Sequence, residues 1–574
     1  MTAAAAAVAQ VRDLTISYRT GDQRVTVVDE LSFSLTEGRT LGLVGESGSG
    51  KSTAARTLLG QLRDGSRIDS GSVTVFDDDV FSLAPEALRR LRGERVALVA
   101  QNAGHALTPT IRVGEQIREA LRVHDLPSGD ERIASLFRLV RLPSPETIGR
   151  RYPHELSGGQ QQRVGIAMAV ATNPKILVLD EPTAALDVIT QAAVLALVND
   201  LRAELGMAVL IVSHDLGVVS AVADDVLVLR TGREVERGEV LDVLERPVET
   251  YTRKLLDAAP RIEGAAVPDV RERADDAVLR CEGIDIRYPG ASTRAVRDFG
   301  LDIHRGETVA IVGESGSGKS TVATAFAGLA PVLSGSALLT DSDGSRHDLL
   351  KPVAKRPVDV RRSVQLIFQN ADLALNPRRT VGDAIARPLT VFSRVRGRAA
   401  RRERVEALLT EVGLGPEFAD RIPAQLSGGQ RQRVGIARAL AADPTLLIAD
   451  EITTALDVSV QADVLELLAA LRDDHDLSCL FISHDLAVVR NVADRIVVMN
   501  GGCIVEAAPS AELFADPRHP YTRSLLDAVV EPGHTDLPDA DADDRRARVN
   551  PEARMVALGG GRFVRDDEGA LLQI

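Results

Sequence analysis

The sequence predicts an α/β fold built twice in one chain, and three observations carry that prediction. The nine residues Gly-Glu-Ser-Gly-Ser-Gly-Lys-Ser-Thr occur at Gly45 to Thr53 and again at Gly313 to Thr321. Each copy follows an apolar run, Thr40 to Val44 and Val309 to Val312, that reads as a buried strand. Val-rich strands then alternate with helical stretches, as in Lys175 to Asp180, Ile189 to Leu205 and Ala208 to Ser213, the pattern of a predominantly parallel sheet.

Each nonapeptide fits G-x-x-x-x-G-K-[ST] in the strand-to-helix setting that makes it a phosphate loop. Gly45, Glu46, Ser47, Gly48, Ser49 and Gly50 form the first loop, and Gly313, Glu314, Ser315, Gly316, Ser317 and Gly318 the second. Glycines let backbone N–H groups converge on phosphate oxygens, and the start of the following helix favours negative charge. Lys51 and Lys319 reach the outer phosphates, Ser52 and Ser320 hold Mg²⁺, and Thr53 and Thr321 close the repeated nonapeptide. The chain has six Lys among 68 Lys plus Arg, yet both loops keep Lys, where a compact, flexible ammonium is required.

A chain of 574 residues is too long for one core, and the repeat divides it into two. Gly45 to Gly313 is an offset of 268, while Ser157 to Ser427 and His214 to His484 are both 270, so insertions nearly cancel between the copies. The expected first domain is 1–257 and the second 278–530, joined by a Pro-, Ala- and charge-rich linker over 258–277. The tail, 531–574, begins with a loose Asp- and Arg-rich stretch over 537–548, and 555–574 contains apolar runs around Gly559, Gly560 and Gly561 that suit a small hairpin.

A formal net charge of -14 argues against nucleic acid as the main partner. Cys281, Cys479 and Cys503 are odd in number and far apart, so neither a disulfide framework nor a CxxC metal site is predicted. The chain contains no apolar stretch long enough to span a membrane, and the Ala3 to Ala7 run lacks the basic flank of an export signal. A cytoplasmic protein is expected.

Further along each copy, an apolar strand ends in two adjacent carboxylates, Asp180-Glu181 and Asp450-Glu451. The first suits Mg²⁺ or its water shell, and the second is placed to polarise an attacking water, as phosphoryl transfer requires. Upstream lie Leu156-Ser157-Gly158-Gly159-Gln160 and Leu426-Ser427-Gly428-Gly429-Gln430, each opening a helical stretch. Such a start offers a serine hydroxyl and backbone N–H groups to a terminal phosphate.

With this pentapeptide as its signature, the chain resembles the ATP-binding cassette (ABC) family over both halves. The resemblance implies that each P-loop nucleotide-binding domain has a RecA-like core, an antiparallel β subdomain and a helical signature subdomain. It also implies that Gln101 and Gln369 sense Mg²⁺ and water, and that His214 and His484, each in Ser-His-Asp, are the histidines that contact the γ-phosphate. Ala185-Leu186-Asp187 and Ala455-Leu456-Asp457 match the loop that crosses to the other cassette. Tyr18 and Tyr288 stand where the family stacks an aromatic ring on adenine; by their own residue pattern they are equally packed strand tyrosines. Two cassettes of this family close head to tail, which would set Lys51 opposite Ser427 and Lys319 opposite Ser157, within one polypeptide. Both copies keep the Glu, His, Gln and signature residues, so two hydrolytic centres are expected. Ile452 stands where the family usually has Pro, and Ala100 and Asn102-Ala103 flank Gln101 where relatives commonly have Phe and Asp-Pro.

Tyr251-Thr-Arg-Lys-Leu-Leu-Asp-Ala and His519-Pro-Tyr521-Thr-Arg-Ser-Leu-Leu-Asp-Ala follow the two cassettes and look like the segment after the cassette in oligopeptide, dipeptide and nickel importer ATPases. That resemblance implies an ATP-hydrolysing subunit of a bacterial importer at the cytoplasmic face of the inner membrane. Its implied partners are two permease subunits and, through them, an extracytoplasmic solute-binding protein. No Cys-bearing cluster is expected in the tail. The competing readings are a soluble tandem-cassette ATPase acting in translation, which usually has a long charged helical linker, a DNA-repair ATPase, which needs zinc-finger cysteines or large insertions, and an exporter subunit. The basic runs Lys351 to Arg362 and Arg394 to Arg404 read as solvated helix faces, with contact to anionic lipid as the other reading.

Overall fold

The apolar pentads Ile176–Asp180 and Ala208–Val212 are too short for helices and too uniformly apolar for a half-exposed strand, and both are buried along their whole length. Each aliphatic side chain so enclosed contributes about 1.5–3 kcal/mol. In the computed structural model they pair in parallel at the centre of a sheet. The structure describes residues 7–262 except 22, 102 and 185, and 277–567 except 342, 393, 394, 455, 534, 536 and 538–548. Ala185, Ala455, most of the expected linker and most of the Asp- and Arg-rich stretch of the tail therefore lie outside the described residues.

The chain forms two compact units. In the first, which contains 1–259, a six-stranded sheet runs in the order Arg233–Glu239, Asp225–Arg230, Thr40–Val44, Ala208–Val212, Ile176–Asp180, Val96–Val99. All its pairings are parallel except that of the edge strand Arg233–Glu239. The order places Thr40–Val44, which feeds the phosphate loop, one strand away from Ile176–Asp180, which ends in the carboxylates. Loops at the C-terminal edge of such a sheet converge, which is where ligands bind in open α/β sheets.

A separate antiparallel sheet in the same unit joins Gln23–Thr36, Ala7–Thr20, Ser66–Val75 and Asp78–Asp79. The helices Val113–Val123, Asp130–Leu139 and Gly158–Val170 form the third part, and Ile117, Phe137 and Val164 meet in its core with no exposure.

The second unit repeats the plan with one extension. Its main sheet has eight strands: Val364–Ile367, Leu446–Asp450, Ser478–Ile482, Thr308–Val312, Arg495–Asn500, Cys503–Pro509, Arg562–Arg565, Met555–Gly559. The last two are the tail hairpin, which the sequence places around Gly559 to Gly561. Arg562–Arg565 also pairs with Cys503–Pro509, through Glu506 opposite Val564 and Ala507 opposite Phe563, so the hairpin continues the core sheet. Arg565 is buried there and donates to the carbonyls of Ile504 and Ala553. Cys281, Cys479 and Cys503 are buried free thiols, and burial raises each above the ordinary thiol range. Among the described residues no helix is long and apolar enough to cross a membrane.

Candidate functional site

In the first unit the strand Thr40–Val44 leads into the phosphate loop and then the helix Lys51–Thr57. The loop turns tightly because Gly45 sits at φ +142°, in a space where a Cβ would lie 2.1 Å from the carbonyl oxygen of Leu229. Gly313 repeats this at φ +145°, 2.0 Å from the Met499 carbonyl oxygen. The Lys51 ammonium is folded onto its own loop, donating to Gly45 O at 2.6 Å and Glu46 O at 2.8 Å. Lys319 does the same, to Gly313 O at 2.8 Å and Glu314 O at 2.7 Å. Burial holds Lys51 below its ordinary value, against the opposing pull of Glu181 and Asp180. Each ammonium is thus buried and satisfied by two carbonyls of its own loop.

The Ser52 hydroxyl donates to Asp180 Oδ1 at 2.6 Å, and Ser320 donates to Asp450 Oδ1 at 2.9 Å. Each pair converges a hydroxyl and a carboxylate, hard oxygen ligands of the kind Mg²⁺ takes. The two differ in one respect. Arg56, one helical turn beyond Ser52, donates to Asp180 Oδ2 at 3.0 Å, whereas the same turn carries Thr324 in the second unit, whose hydroxyl bonds back to Ser320 O and Thr321 O. Asp450 is raised above the ordinary carboxylate range, chiefly by burial and with Glu451 adding to it, while Ser320 and Lys319 work against the shift. The role of Arg56 is not named by any motif, but its i, i+4 spacing from Ser52 puts both on one helix face.

Next to Asp180, Glu181 adopts φ +49°, and Glu451 adopts φ +48°, left-handed conformations rare for Glu. The strands still donate their N–H groups, Glu181 to Val212 O and Glu451 to Ile482 O, both at 2.9 Å, so the turn redirects only the side chain. The carboxylate then meets two residues that the sequence singles out for other contacts. Gln101 Nε2 donates to Glu181 Oε2 at 2.5 Å and Gln369 Nε2 to Glu451 Oε2 at 2.6 Å. His214 Nδ1 lies 3.2 Å from Glu181 Oε1, and His484 Nδ1 lies 3.6 Å from Glu451 Oε2. Gln101 thus makes the same contact as Gln369 despite its unusual neighbours, and Ile452 is simply buried.

Electrostatics follow from this geometry. Burial pushes the Glu181 carboxyl up, but the His214 hydrogen bond and charge, with Lys51 and Gln101, outweigh it and leave the group below the ordinary range. Burial likewise works against a charged His214, and Glu181 with Asp215 overcomes it, so the imidazole is raised. In the second unit burial also works against both shifts, and the Glu451–His484 contact overcomes it, with Lys319 and Thr454 also lowering Glu451 and Asp485 also raising His484. The histidine is held by its flanking residues: Ser213 Oγ accepts from the Asp215 N–H at 3.0 Å, and Asp215 caps the helix Leu216–Val222 by accepting from Gly217 and Val218. Ser483 and Asp485 do the same around His484.

The signature residues form a second cluster in each unit, at the start of helices Gly158–Val170 and Gly428–Leu440. Ser157 Oγ accepts from the Gln160 N–H at 3.3 Å, while Gln160 Oε1 accepts from the Ser157 N–H at 3.2 Å. Ser427 and Gln430 are paired in the same reciprocal box. Because each serine oxygen accepts in the cap, its O–H proton is left to donate. Tyr18 and Tyr288 stand beside their loops, with hydroxyls 2.9 Å from Thr53 Oγ1 and 3.3 Å from Thr321 Oγ1. Asp187 caps the helix Val188–Leu205 by accepting from the Thr190 N–H at 3.0 Å.

Two residues touch the loops that no sequence motif assigns there. The Glu46 N–H donates to the Tyr251 hydroxyl at 3.4 Å, and the Glu314 N–H to the Tyr521 hydroxyl at 3.0 Å. Both tyrosines belong to the segments following the cassettes. Burial pushes the Tyr251 phenol up to about 12, so it stays protonated at neutral pH.

The ABC transporter family pattern matches residues 28–184 and 296–454, and the pattern of the oligopeptide/dipeptide transporter C-terminal region matches 235–279 and 505–560. The glutathione import ATP-binding protein GsiA of Escherichia coli K12 is 40% identical over 559 residues, covering 90% of this chain and 89% of that one, as is its counterpart in Shigella sonnei. Among solved structures, the complex of the archaeal ribosomal stalk protein aP1 with the ribosome recycling factor aABCE1 aligns over 98% of this chain and 96% of that one, with a TM-score of 0.58 at 21% identity, a likeness of fold.

Proposed function

Because this chain belongs to the ABC transporter family of ATPases, we propose that it is the ATP-hydrolysing subunit of an importer for peptides or a related small solute, of the dipeptide, oligopeptide and nickel class. The observation that carries this reading is the oligopeptide/dipeptide transporter C-terminal region after each cassette. Relatives named for glutathione import make a short thiol peptide one candidate solute.

In this reading Glu181 and Glu451 are the bases that orient and polarise the attacking water, and the lowered carboxyls favour the ionised form this needs. Gln101 and Gln369 hold those carboxylates and the water between them. His214 and His484 orient the Glu and meet the γ-phosphate. Lys51 and Lys319 leave the loop carbonyls for the β- and γ-phosphates, and the loop N–H groups bind the remaining oxygens. Mg²⁺, held by Ser52, Asp180 and Gln101 or by Ser320, Asp450 and Gln369, would neutralise phosphate charge. Tyr18 and Tyr288 stack on adenine. Each signature serine donates to the γ-phosphate of the nucleotide bound to the other copy's loop, so that one polypeptide completes both ATP sites.

The proposed partners are two integral-membrane permeases and, through them, a solute-binding protein, with the chain held peripherally at the inner face of the cell membrane. Affinity purification of the tagged chain from detergent-solubilised membranes of its own cells tests this. Two multi-span proteins are expected in the eluate; recovery with ribosomes, or without any membrane protein, would contradict the importer reading.

A further inference from the structure

The peptide between Gly313 and Glu314 is held from both sides. Its carbonyl accepts from the Lys319 ammonium at 2.8 Å, and its N–H donates to the Tyr521 hydroxyl at 3.0 Å. A trans peptide points its C=O and N–H in opposite directions, so fixing the N–H also fixes where the carbonyl aims. Gly313, at φ +145°, supplies the backbone freedom for that plane to rotate. Tyr521 is the brace against the rotation.

The brace is anchored in turn. Tyr521 is 1% exposed and lies in the first turn of the helix Pro520–Asp527, whose N-cap is His519. His519 Nδ1 accepts from the Tyr521 N–H at 3.1 Å, and its Nε2 lies 3.0 Å from Asp567 Oδ2. The fully buried Glu506 carboxylate accepts from the N–H groups of Arg518 and His519, both at 2.9 Å. Asp567 follows the strand Arg562–Arg565 of the tail hairpin, which is itself paired to the strand carrying Glu506. A line of direct contacts therefore runs from the hairpin through Asp567, His519 and Tyr521 to the loop peptide that receives Lys319.

The first unit has the brace without this line. Gly45 O accepts from Lys51 at 2.6 Å and the Glu46 N–H donates to Tyr251 at the longer 3.4 Å. Its helix Thr250–Ala258 starts at Glu249, whose side chain makes no cap hydrogen bond.

We propose that Tyr521 is a positioning residue for nucleotide at the second phosphate loop, and that the C-terminal hairpin sets its grip through Asp567 and His519. Tyr251 is the counterpart at the first loop, set without a hairpin. The proposal rests on the reading of these loops as the ATP sites. With the peptide plane pre-set, the Lys319 ammonium waits beside the phosphate position; without the brace, bound nucleotide must order the loop at the expense of affinity.

The test is titration of the full chain with the fluorescent analogue mant-ATP and Mg²⁺, in a Lys51→Ala background that leaves the second site to be read. Tyr521→Phe keeps the ring and removes the hydroxyl, and it is expected to raise Kd by about five- to tenfold, the effect of one lost hydrogen bond to a buried N–H. Asp567→Asn, distant from nucleotide, should shift Kd in the same direction by less. In the chain with Lys51 intact, Tyr521→Phe should raise KM for ATP while kcat at saturation stays near the parent value, with at most a small fall in the urea midpoint without nucleotide. An unchanged Kd in Tyr521→Phe, while Lys51→Ala with Lys319→Ala abolishes binding, overturns the proposal. A lowered urea midpoint with a matching loss of kcat would also overturn it, by making Tyr521 a packing residue. Unchanged Kd in Asp567→Asn removes the hairpin from it. Retained binding in the double lysine variant would instead overturn the phosphate-loop reading itself.

Discussion

Glu181 and His214 are shifted in opposite directions by one contact, the carboxyl below its ordinary 4.5 and the imidazole above its ordinary 6.5. A lowered carboxyl stabilises the fold above its unfolded-state value, and that stability is lost as pH falls through the lowered one. A raised imidazole stabilises below its unfolded-state value, and that is lost as pH rises through the raised one. The pair therefore contributes most between 4.5 and 6.5 and fades as the solution becomes alkaline. In nucleotide-free protein, His214→Gln should cost about 1 kcal/mol of unfolding free energy at pH 5.5 and markedly less at pH 9. A gap that widens toward pH 9 would show that the two groups do not pair as ions. Arg56 marks a residue-scale difference between the units: it holds Asp180, whereas Thr324 stands at the equivalent position near Asp450, so the carboxylates next to Glu181 and Glu451 meet different charge surroundings.

At the scale of elements, the two glycines of each signature do different work. A Cβ on Gly158 would meet Leu186 at 3.6 Å, ordinary contact, whereas on Gly159 it would lie 2.3 Å from Thr190 Cγ2 in the helix Val188–Leu205. Gly429 stands in the same relation to Val460 Cγ1, at 2.2 Å. The second glycine is needed for helix packing, apart from any role toward phosphate. Gly159→Ala should lower stability by about 1–3 kcal/mol through overpacking, and Gly158→Ala should leave the urea midpoint near that of the parent. Equal midpoints for the two variants would contradict this. The same scale explains what was legible in the sequence. Phosphate loops, carboxylate-ended strands and signature helices are contiguous patterns, so Lys51, Asp180, Glu181 and Ser157 announce themselves. Tyr251 and Tyr521 reach loops more than 200 residues earlier, at separations of 205 and 207, and local pattern carries no record of that path. The hairpin was legible from Gly559 to Gly561 as a self-paired unit, but its docking on Cys503–Pro509 depends on an edge strand left open by the rest of the sheet.

For the whole molecule, duplication supplies two sets of the residues proposed to hydrolyse ATP, and the described residues depart from equivalence at Arg56 and at the hairpin that continues the sheet of the second unit. Both units keep the arrangement that matters most for chemistry, with a strained Glu held between a Gln and a His beside a Ser–Asp pair. The most direct test of the account is steady-state ATP hydrolysis by the full chain carrying Glu181→Gln together with Glu451→Gln, with nucleotide binding measured on the same preparation. Turnover should fall by about two to four orders of magnitude while ATP still binds, because only the water loses its base. Hydrolysis at the parent rate would contradict the assignment of the two glutamates and, with it, the mechanism built on them.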